Sequence, residues 1–240
     1  MGKLENGQGL MKIKALKAAF PHTIPVLMGY MFMGIAFGIL LRSKGYNFGW
    51  AVMMSTVIFA GSMQFVSINL LTSNFNLATV VYMTLMVNAR HLFYGLSMLD
   101  QFKDMRKKKP YMIFSLTDET FSLLCSAKPP HDVNKNSFYF CIALLNHIYW
   151  ITGSAIGGII GSVLSFNTKG IDFVMTALFV VIFVEQWKAN KKHIPALIGI
   201  CVSLLCLITF GTSRFILPSM ILMLITLTVL RKTIEMRNRQ

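Results

Sequence analysis

The stretch GYNFGWAVMMSTVIFAGSMQFVSINLLTSNFNLATVVYMTLMVNA, residues 45–89, contains no Asp, Glu, Lys or Arg. Further uncharged stretches cover residues 136–168, 194–213 and 215–230. Across the 240 residues, 55% are hydrophobic, 13% are charged and the mean hydropathy is +0.60, whereas soluble domains carry about a quarter of their residues as charged side chains. Because such stretches cannot face water on every side, they predict helices that cross a membrane.

The charges that remain are strongly unbalanced, with 23 basic and 9 acidic residues and a formal net charge of +14. In a soluble protein this excess would indicate nucleic acid as a partner. In a membrane protein it is typical of loops that face the cytoplasm. Eighteen of the basic residues lie in the two tails and in three loops between apolar segments. We therefore expect contact with membrane lipid and no nucleic-acid partner.

No polar stretch is long enough to form a soluble domain. The sequence thus predicts one transmembrane domain, 20–231, between basic cytoplasmic tails at 1–19 and 232–240. The first tail lacks a signal-peptide pattern, and its residues 10–20 fit either a surface amphipathic helix or a solvated tail. The four cysteines lack zinc or disulfide spacing, and no P-loop or hydrolase motif is present. We expect no metal, no cofactor and no enzymatic activity.

Eight apolar segments are candidate spans, and they predict an all-α polytopic membrane protein with six to eight transmembrane helices. If all eighteen clustered basic residues face the cytoplasm, six segments cross, and 47–72 and 111–127 are broken or re-entrant. If all eight cross, the loop 103–109 violates the positive-inside tendency. Both alternatives place the two termini on the same side of the membrane. The segments are 20–41, 47–72, 75–99, 111–127, 137–164, 173–187, 194–211 and 215–231.

Glycines recur at four-residue intervals in two segments, at Gly34 and Gly38 and at Gly153, Gly157 and Gly161. Small residues one helical turn apart allow close approach of two backbones in lipid, so we expect both sets to form helix-packing faces. Each set is followed by a further glycine and then by a segment ending in Gln and an aromatic residue, at 64–65 and 186–187. This similarity indicates an internal repeat, a common feature of transporters, although short glycine patterns also align by chance.

Two clusters of polar residues lie within apolar segments, where such groups are costly and need partners. In the first, Gly61 and Ser62 permit a helix break and Gln64 offers hydrogen-bond donors and an acceptor. A packing interface with one interhelical hydrogen bond also explains this cluster. In the second, Arg90 lies beside the polar residues Asn88 and His91. This cluster fits a functional site or an interfacial arginine with a buried stem.

A third cluster, Asp118 and Glu119, places two acids in the middle of the short segment 111–127. Thr117 and Asp118 are good N-caps, so we expect a broken helix to restart here. The alternative is a solvated turn, against which the apolar residues on both sides argue. Because buried ions are tolerated when they are paired, we predict that Arg90 contacts Asp118 or Glu119, which brings their two segments together.

Five motifs in this order and spacing resemble the AzlC-type family, the large subunit of branched-chain amino acid exporters. The resemblance covers residues 20–165 and is most specific in the fourth and fifth motifs. Met33 departs from the family pattern, which has a proline there, and this leaves the kink of the first helix open. The motifs are GY at 29–30, AFG at 36–38, AGSMQF at 60–65, RHLFYG at 90–95 and LTDETF at 116–121.

The resemblance implies a secondary transporter in the bacterial inner membrane that exports valine, leucine and isoleucine, with methionine as a further candidate. It also implies a small, separately encoded hydrophobic partner subunit of the AzlD type. Members of the family are usually described with about seven spans, a count that differs from both even alternatives above. A passive channel, or an accessory subunit without transport of its own, is the alternative function.

Both lines of reasoning lead to one hypothesis, in which the substrate lies near the membrane midplane beside irregular backbone. Arg90 and helix N-termini hold the carboxylate, while Asp118 or Glu119 holds the ammonium group or carries the coupling proton. Aromatic and methionine side chains supply an apolar pocket, formed by Phe59, Met63, Phe65 and Phe121. The expected substrate-binding residues are Gly61, Ser62, Gln64, Phe65, Asn88, Arg90, Tyr94, Thr117 and Asp118. The expected proton-coupling residues are His91, Asp118 and Glu119.

Overall fold

Every element in the described part of the chain is helical, in agreement with the predicted all-α class. The computed structural model describes residues 2–72, 76–163, 193–211 and 215–237, and residues 180, 183, 184 and 187. Apart from these four single residues, the predicted span 173–187 lies outside the described ranges. Gly170 and Gln186 of the suggested repeat also lie outside them. The helices are α1 Gly2–Ser43, α2 Phe48–Val57, α3 Gly61–Thr72, α4 Leu77–Met98, a 3-10 helix Lys103–Lys108, α5 Lys109–Phe114, α6 Asp118–Ser126, α7 Lys135–Val163, α8 Ile194–Phe210 and α9 Ile216–Arg237.

The chain divides into two compact units, Met1–Met175 and Thr176–Gln240. Two of the described helices are long and apolar enough to cross a bilayer, Ile13–Ser43 within α1 and Lys135–Val163, which is α7. By length and composition, the described residues therefore support two spans, and the count of six to eight remains a prediction. The assignment of residues 20–231 to a single transmembrane domain also remains a prediction.

The first and last helices extend beyond the apolar segments. α1 is continuous from Gly2 to Ser43, so no break separates the basic tail 1–19 from the apolar segment, and Pro21 and Pro25 lie inside the helix. α9 continues to Arg237, beyond the predicted end of its segment at 231. In both cases helix-forming residues extend past the apolar pattern, because hydrophobicity marks where a helix meets lipid and not where it ends.

α1 and α7 pack through their glycines, as predicted, and the two glycine sets face each other. A Cβ on Gly153 would lie 2.9 Å from the carbonyl oxygen of Tyr30. A Cβ on Gly157 would overlap the backbone of Ile35. At separations this short only glycine fits, so the backbones approach as closely as in small-residue membrane interfaces.

The same contacts set the direction of the two helices. Gly34 lies against Ser154, and Gly38, one turn later, lies against Gly158. Because contacting residue numbers rise together, α1 and α7 are parallel. Parallel helices have their N-termini at the same end, and the ion pair from Lys14 Nζ to Asp132 Oδ2, 3.9 Å long, lies at that end.

The predicted break in 47–72 is present between α2 and α3. Phe59 has a φ of 40° there, a left-handed conformation that is rare for a bulky residue. The two helices fold back on each other, since Gln64 Nε2 donates to Ser55 Oγ at 3.1 Å. The Tyr46 hydroxyl donates to the Leu71 carbonyl at 3.2 Å. The start of α2 and the C-terminus of α3 therefore both lie near the C-terminus of α1.

The predicted break in 111–127 is also present, between α5 and α6. The chain enters α5 beside the start of α7, where Asn136 Nδ2 donates to the Asp104 carbonyl at 3.4 Å and Lys108 Nζ lies 4.7 Å from the centroid of the Phe140 ring. After α6 it returns to the start of α7. The pair is held against α7 by a buried apolar cluster that includes Met112, Leu116, Leu124, Phe138 and Ile142.

The second unit contributes α8 and α9, which pack on each other. Gly199 of α8 lies near Met223 of α9, where an added Cβ would be 3.6 Å from the sulfur atom. Cys206 and Ser219 are buried. This unit supplies none of the residues that the sequence marks as a candidate site.

Replacing Gly157 with alanine should destabilise the protein by about 1–3 kcal/mol, because its Cβ would overlap the Ile35 backbone and force α1 and α7 apart. Thermal unfolding of the detergent-purified variant measures the effect. Gly29→Ala is the matched control, since an added Cβ there meets no atom within 4 Å. Equal melting temperatures for the two variants would contradict the close α1–α7 packing.

Candidate functional site

Arg90 of α4 joins the first turns of α3 and α6. Its Nη2 donates to Ser62 Oγ at 2.6 Å, and its Nη1 forms an ion pair with Asp118 Oδ2 at 2.8 Å. The predicted contact between Arg90 and an acid of the third cluster is thus confirmed, and Asp118 is the partner. The guanidinium holds the starts of two half-length helices that follow the two breaks.

Thr117 caps α6, as the sequence predicts. Its hydroxyl accepts a hydrogen bond from the backbone N–H of Thr120 at 3.2 Å and lies 3.0 Å from the Thr120 hydroxyl. Both threonines are buried. A capped N-terminus carries partial positive charge, which suits the carboxylates of Asp118 and Glu119 in the first turn of α6.

Tyr30 is a site residue that the candidate set omitted. Its hydroxyl donates to Glu119 Oε2 at 2.8 Å and lies 2.6 Å from Thr117 Oγ1. The Tyr30 ring packs on Trp150 of α7, with the centroids 5.4 Å apart. The only signal in the sequence was the GY motif of the family resemblance, because the partners of Tyr30 are 87 and 89 residues away along the chain.

Tyr94 and Phe121 form the apolar wall beside the ion pair. Their rings stack with centroids 4.6 Å apart, and the Tyr94 hydroxyl lies near the Asp118 carboxylate. His91 packs edge-on against Tyr94, and its Nδ1 lies 3.3 Å from the Asn88 carbonyl of its own helix. Tyr94 therefore belongs to the site, whereas the His91 ring is engaged within α4.

Gln64 belongs to a second buried network on the α7 side of the α2–α3 break. Its Oε1 accepts from Trp150 Nε1 at 2.7 Å, and its Nε2 donates to Ser55. His147 contacts the Ser55 carbonyl through Nε2 and the Tyr111 hydroxyl through Nδ1. In this structure Gln64 thus bonds to residues of α2 and α7.

Two further candidate residues serve packing in this structure. Gly61 faces the Trp150 ring, where an added Cβ would lie 3.1 Å from a ring carbon. Phe65 is buried and packs against Phe37, with centroids 5.7 Å apart. Phe59, which the sequence placed in the apolar pocket, stacks on the His147 ring with the centroids 4.3 Å apart. These contacts place the residues around the α2–α3 break.

The site combines one cation with two carboxylates inside a helical protein. The side chains of Arg90 and Asp118 are 28% and 20% exposed, so the pair is neither fully buried nor freely solvated. Within the residues described, no cluster of three or more metal-ligating side chains occurs. A charged pair between broken helices is typical of sites that bind a small zwitterion or ion at membrane depth.

These features define an all-helical membrane protein with a polar site at two helix breaks, and the comparisons agree. The family model described as AzlC protein matches residues 25–164, and the chain belongs to the AzlC family. The branched-chain amino acid transport protein AzlC of Bacillus subtilis (strain 168) is 53% identical over 221 residues, 92% of this chain and 87% of that protein.

Further relatives carry membrane-protein names. An uncharacterized membrane protein of Helicobacter pylori (strain J99) is 48% identical over 223 residues, 93% of this chain and 98% of that one. The inner membrane protein YgaZ of Escherichia coli (strain K12) is 24% identical over 178 residues, 71% of this chain and 72% of that one. No solved structure matches. The predicted family and the membrane location are therefore confirmed.

A double-mutant cycle should show that Arg90 and Asp118 act together. We expect Arg90→Gln and Asp118→Asn to destabilise the purified protein with a coupling energy of about 1–3 kcal/mol, because each single change leaves a partly buried charge without its partner. The exposed pair Lys14–Asp132, with side chains 54% and 70% exposed, is the control and should give less than about 1 kcal/mol. Additive effects at 90 and 118 would contradict the pairing.

Replacing Thr117 with alanine should cost about 0.5–2 kcal/mol, since α6 loses its N-cap. Thr117→Ser keeps the hydroxyl and should retain most of the stability. Chemical denaturation of the three proteins in detergent provides the comparison. A serine variant as unstable as the alanine variant would show that the hydroxyl has no capping role.

Proposed function

We propose that this protein is the large subunit of a secondary transporter that exports branched-chain amino acids. Its substrates are valine, leucine and isoleucine, with methionine as a further candidate. It acts in the bacterial inner membrane, uses the proton gradient, and functions with a small hydrophobic subunit of the AzlD type. The name of the Bacillus subtilis relative supports the substrate class, and the membership in the AzlC family supports a role in transport rather than in enzymatic catalysis.

The contacts of the first unit support one membrane topology. α1, α4 and α7 cross, and the α2–α3 and α5–α6 pairs are re-entrant from opposite sides. α4 has 22 residues, and at 1.5 Å per residue such a helix is about 33 Å long, enough for the hydrocarbon layer. This arrangement places the basic 3-10 helix on the side of the α1 N-terminus, in agreement with the positive-inside tendency.

The Arg90 bridge between Ser62 and Asp118 carries the proposal. A zwitterionic amino acid can replace this ion pair with two of its own, its carboxylate on the guanidinium and its ammonium group on a carboxylate. Arginine suits the task because its planar fork matches a carboxylate. Substrate binding therefore exchanges one set of charge contacts for another without leaving a charge unpaired at membrane depth.

The apolar side chain of the substrate then needs an apolar wall near the same ion pair. The stacked rings of Tyr94 and Phe121 lie beside Asp118 and supply this wall. Phe59, Met63 and Phe65 are buried at the neighbouring α2–α3 break. A pocket of aromatic and methionine side chains accepts branched chains of different shape.

The decisive experiment measures valine flux in proteoliposomes, with and without the small subunit and with and without a pH gradient. Saturable flux that depends on the gradient is expected from the complete pair. The double variant Asp118→Asn, Glu119→Gln should lose this flux, while Asp132→Asn, which removes an exposed carboxylate, should retain it.

Other outcomes separate the alternatives. Flux in the double variant at the level of the unmodified protein would remove the carboxylates from the mechanism. Flux that neither saturates nor responds to the gradient would identify a passive channel. Substrate binding without flux, even with the partner present, would identify an accessory subunit.

A further inference from the structure

The two neighbouring acids at the start of α6 have different partners. Asp118 is paired with the guanidinium of Arg90 at 2.8 Å. Glu119 accepts a hydrogen bond from the neutral hydroxyl of Tyr30 at 2.8 Å. Among the residues that the structure describes, the ion pairs are those of Arg90 and Lys14, so Glu119 has no cationic partner there. Adjacent carboxylates with such different surroundings are suited to different tasks.

The two acids therefore differ in the charge of the group that they face. The charge of Asp118 is matched by the guanidinium of Arg90. Glu119 faces a hydroxyl instead, which can donate to an ionised carboxylate and accept from a protonated one. We propose that Glu119, positioned by Tyr30, binds and releases the coupling proton, while Asp118 keeps its ion pair with Arg90. This assignment rests on the proposed transport function and deepens it.

A chain of polar groups behind Glu119 allows both protonation states. Tyr30 lies 2.6 Å from Thr117 Oγ1, which lies 3.0 Å from Thr120 Oγ1, and Thr120 Oγ1 accepts from Asn146 Nδ2 at 3.0 Å. Each hydroxyl in the chain can turn to donate or accept. When Glu119 is ionised, the Tyr30 hydroxyl donates to it. When Glu119 is protonated, the Tyr30 hydroxyl can turn to Thr117 Oγ1, which itself donates to Thr120 Oγ1.

The charged and titratable groups around Glu119 are consistent with this role. α1 contributes Tyr30, and α4 contributes Tyr94. Arg90 and His91 of α4 lie nearer to Asp118. From α6 itself comes Asp118. α7 contributes Asn146, which is uncharged, and its His147 ring is already bonded to Tyr111 and to the Ser55 carbonyl. His91, the other proton candidate, faces the carbonyl of Asn88 in its own helix.

The proton balance of one cycle is simple, and no covalent bond between heavy atoms changes. Glu119 takes a proton from water on the outer side and releases it to water on the cytoplasmic side. One amino acid moves out for each proton that moves in. With this coupling, a gradient of about one pH unit sustains an amino acid concentration ratio of about tenfold.

The test compares net flux driven by a pH gradient with valine–valine exchange at equal pH, in proteoliposomes that contain both subunits. Exchange needs substrate binding and movement but no change in protonation. Glu119→Gln should keep exchange and lose gradient-driven accumulation, so that the ratio of about tenfold falls to about one. Asp118→Asn should lose exchange and accumulation together.

Tyr30→Phe tests the positioning role, because it keeps the ring contact with Trp150 and removes the hydroxyl. A donated hydrogen bond favours the ionised carboxylate, so the pH profile of net flux should move to higher pH in this variant. Tyr149→Phe is the matched control: its hydroxyl is buried 3.0 Å from Thr23 Oγ1 and is not bonded to Glu119. The control should leave the pH profile unchanged.

Each result tests the assignment of the coupling proton to Glu119. Gradient-driven accumulation by Glu119→Gln would overturn the assignment and leave the proposed function standing. Loss of exchange in Glu119→Gln to the level of Asp118→Asn would also overturn it, since Glu119 would then be needed for binding. An unchanged pH profile in Tyr30→Phe would remove Tyr30 from the mechanism. If the unmodified pair moves no amino acid, the proposed function fails and the assignment fails with it.

Discussion

The close contact between α1 and α7 is the constraint on which the rest of the first unit depends. Gly34, Gly38, Gly153 and Gly157 allow the two backbones to touch, and no larger residue fits at the tightest points. Across this contact Tyr30 packs on Trp150, and Tyr30 reaches both helix breaks, through Phe59 and Thr117. Without this contact Tyr30 would not reach Glu119, and the α6 cap would lose its partner from α1.

α4 brings the two helix breaks together through its residue Arg90. The first turns of α3 and α6 both contact Arg90, through Ser62 and Asp118, so the positive ends of two helix dipoles and one guanidinium lie near the same point. The acids of α6 balance this positive charge. One of them is held by the cation and the other by neutral hydroxyls, a difference that allows substrate binding and proton movement to be assigned to adjacent residues.

Local sequence patterns predicted the breaks, the glycine packing faces and the pairing of Arg90 with an acid. They succeeded because Gly61, the Thr117 cap and an arginine in an apolar run each carry a strong local cost or preference. Three contacts could not be predicted, since they join residues far apart in the chain. They are the bond from Tyr30 to Glu119, the pairing of Arg90 with Asp118 and not Glu119, and the Gln64–Trp150 bond. The helix in the tail was left open, because residues 10–20 fit a surface helix as well as a solvated tail, and the structure shows the helix.

The structure of the complete transporter with bound valine tests the account most directly. The valine carboxylate should lie on the Arg90 guanidinium, the ammonium group on a carboxylate of α6, and the branched side chain against Tyr94 and Phe121. Valine bound elsewhere, with the Arg90–Asp118 ion pair intact, would contradict the account.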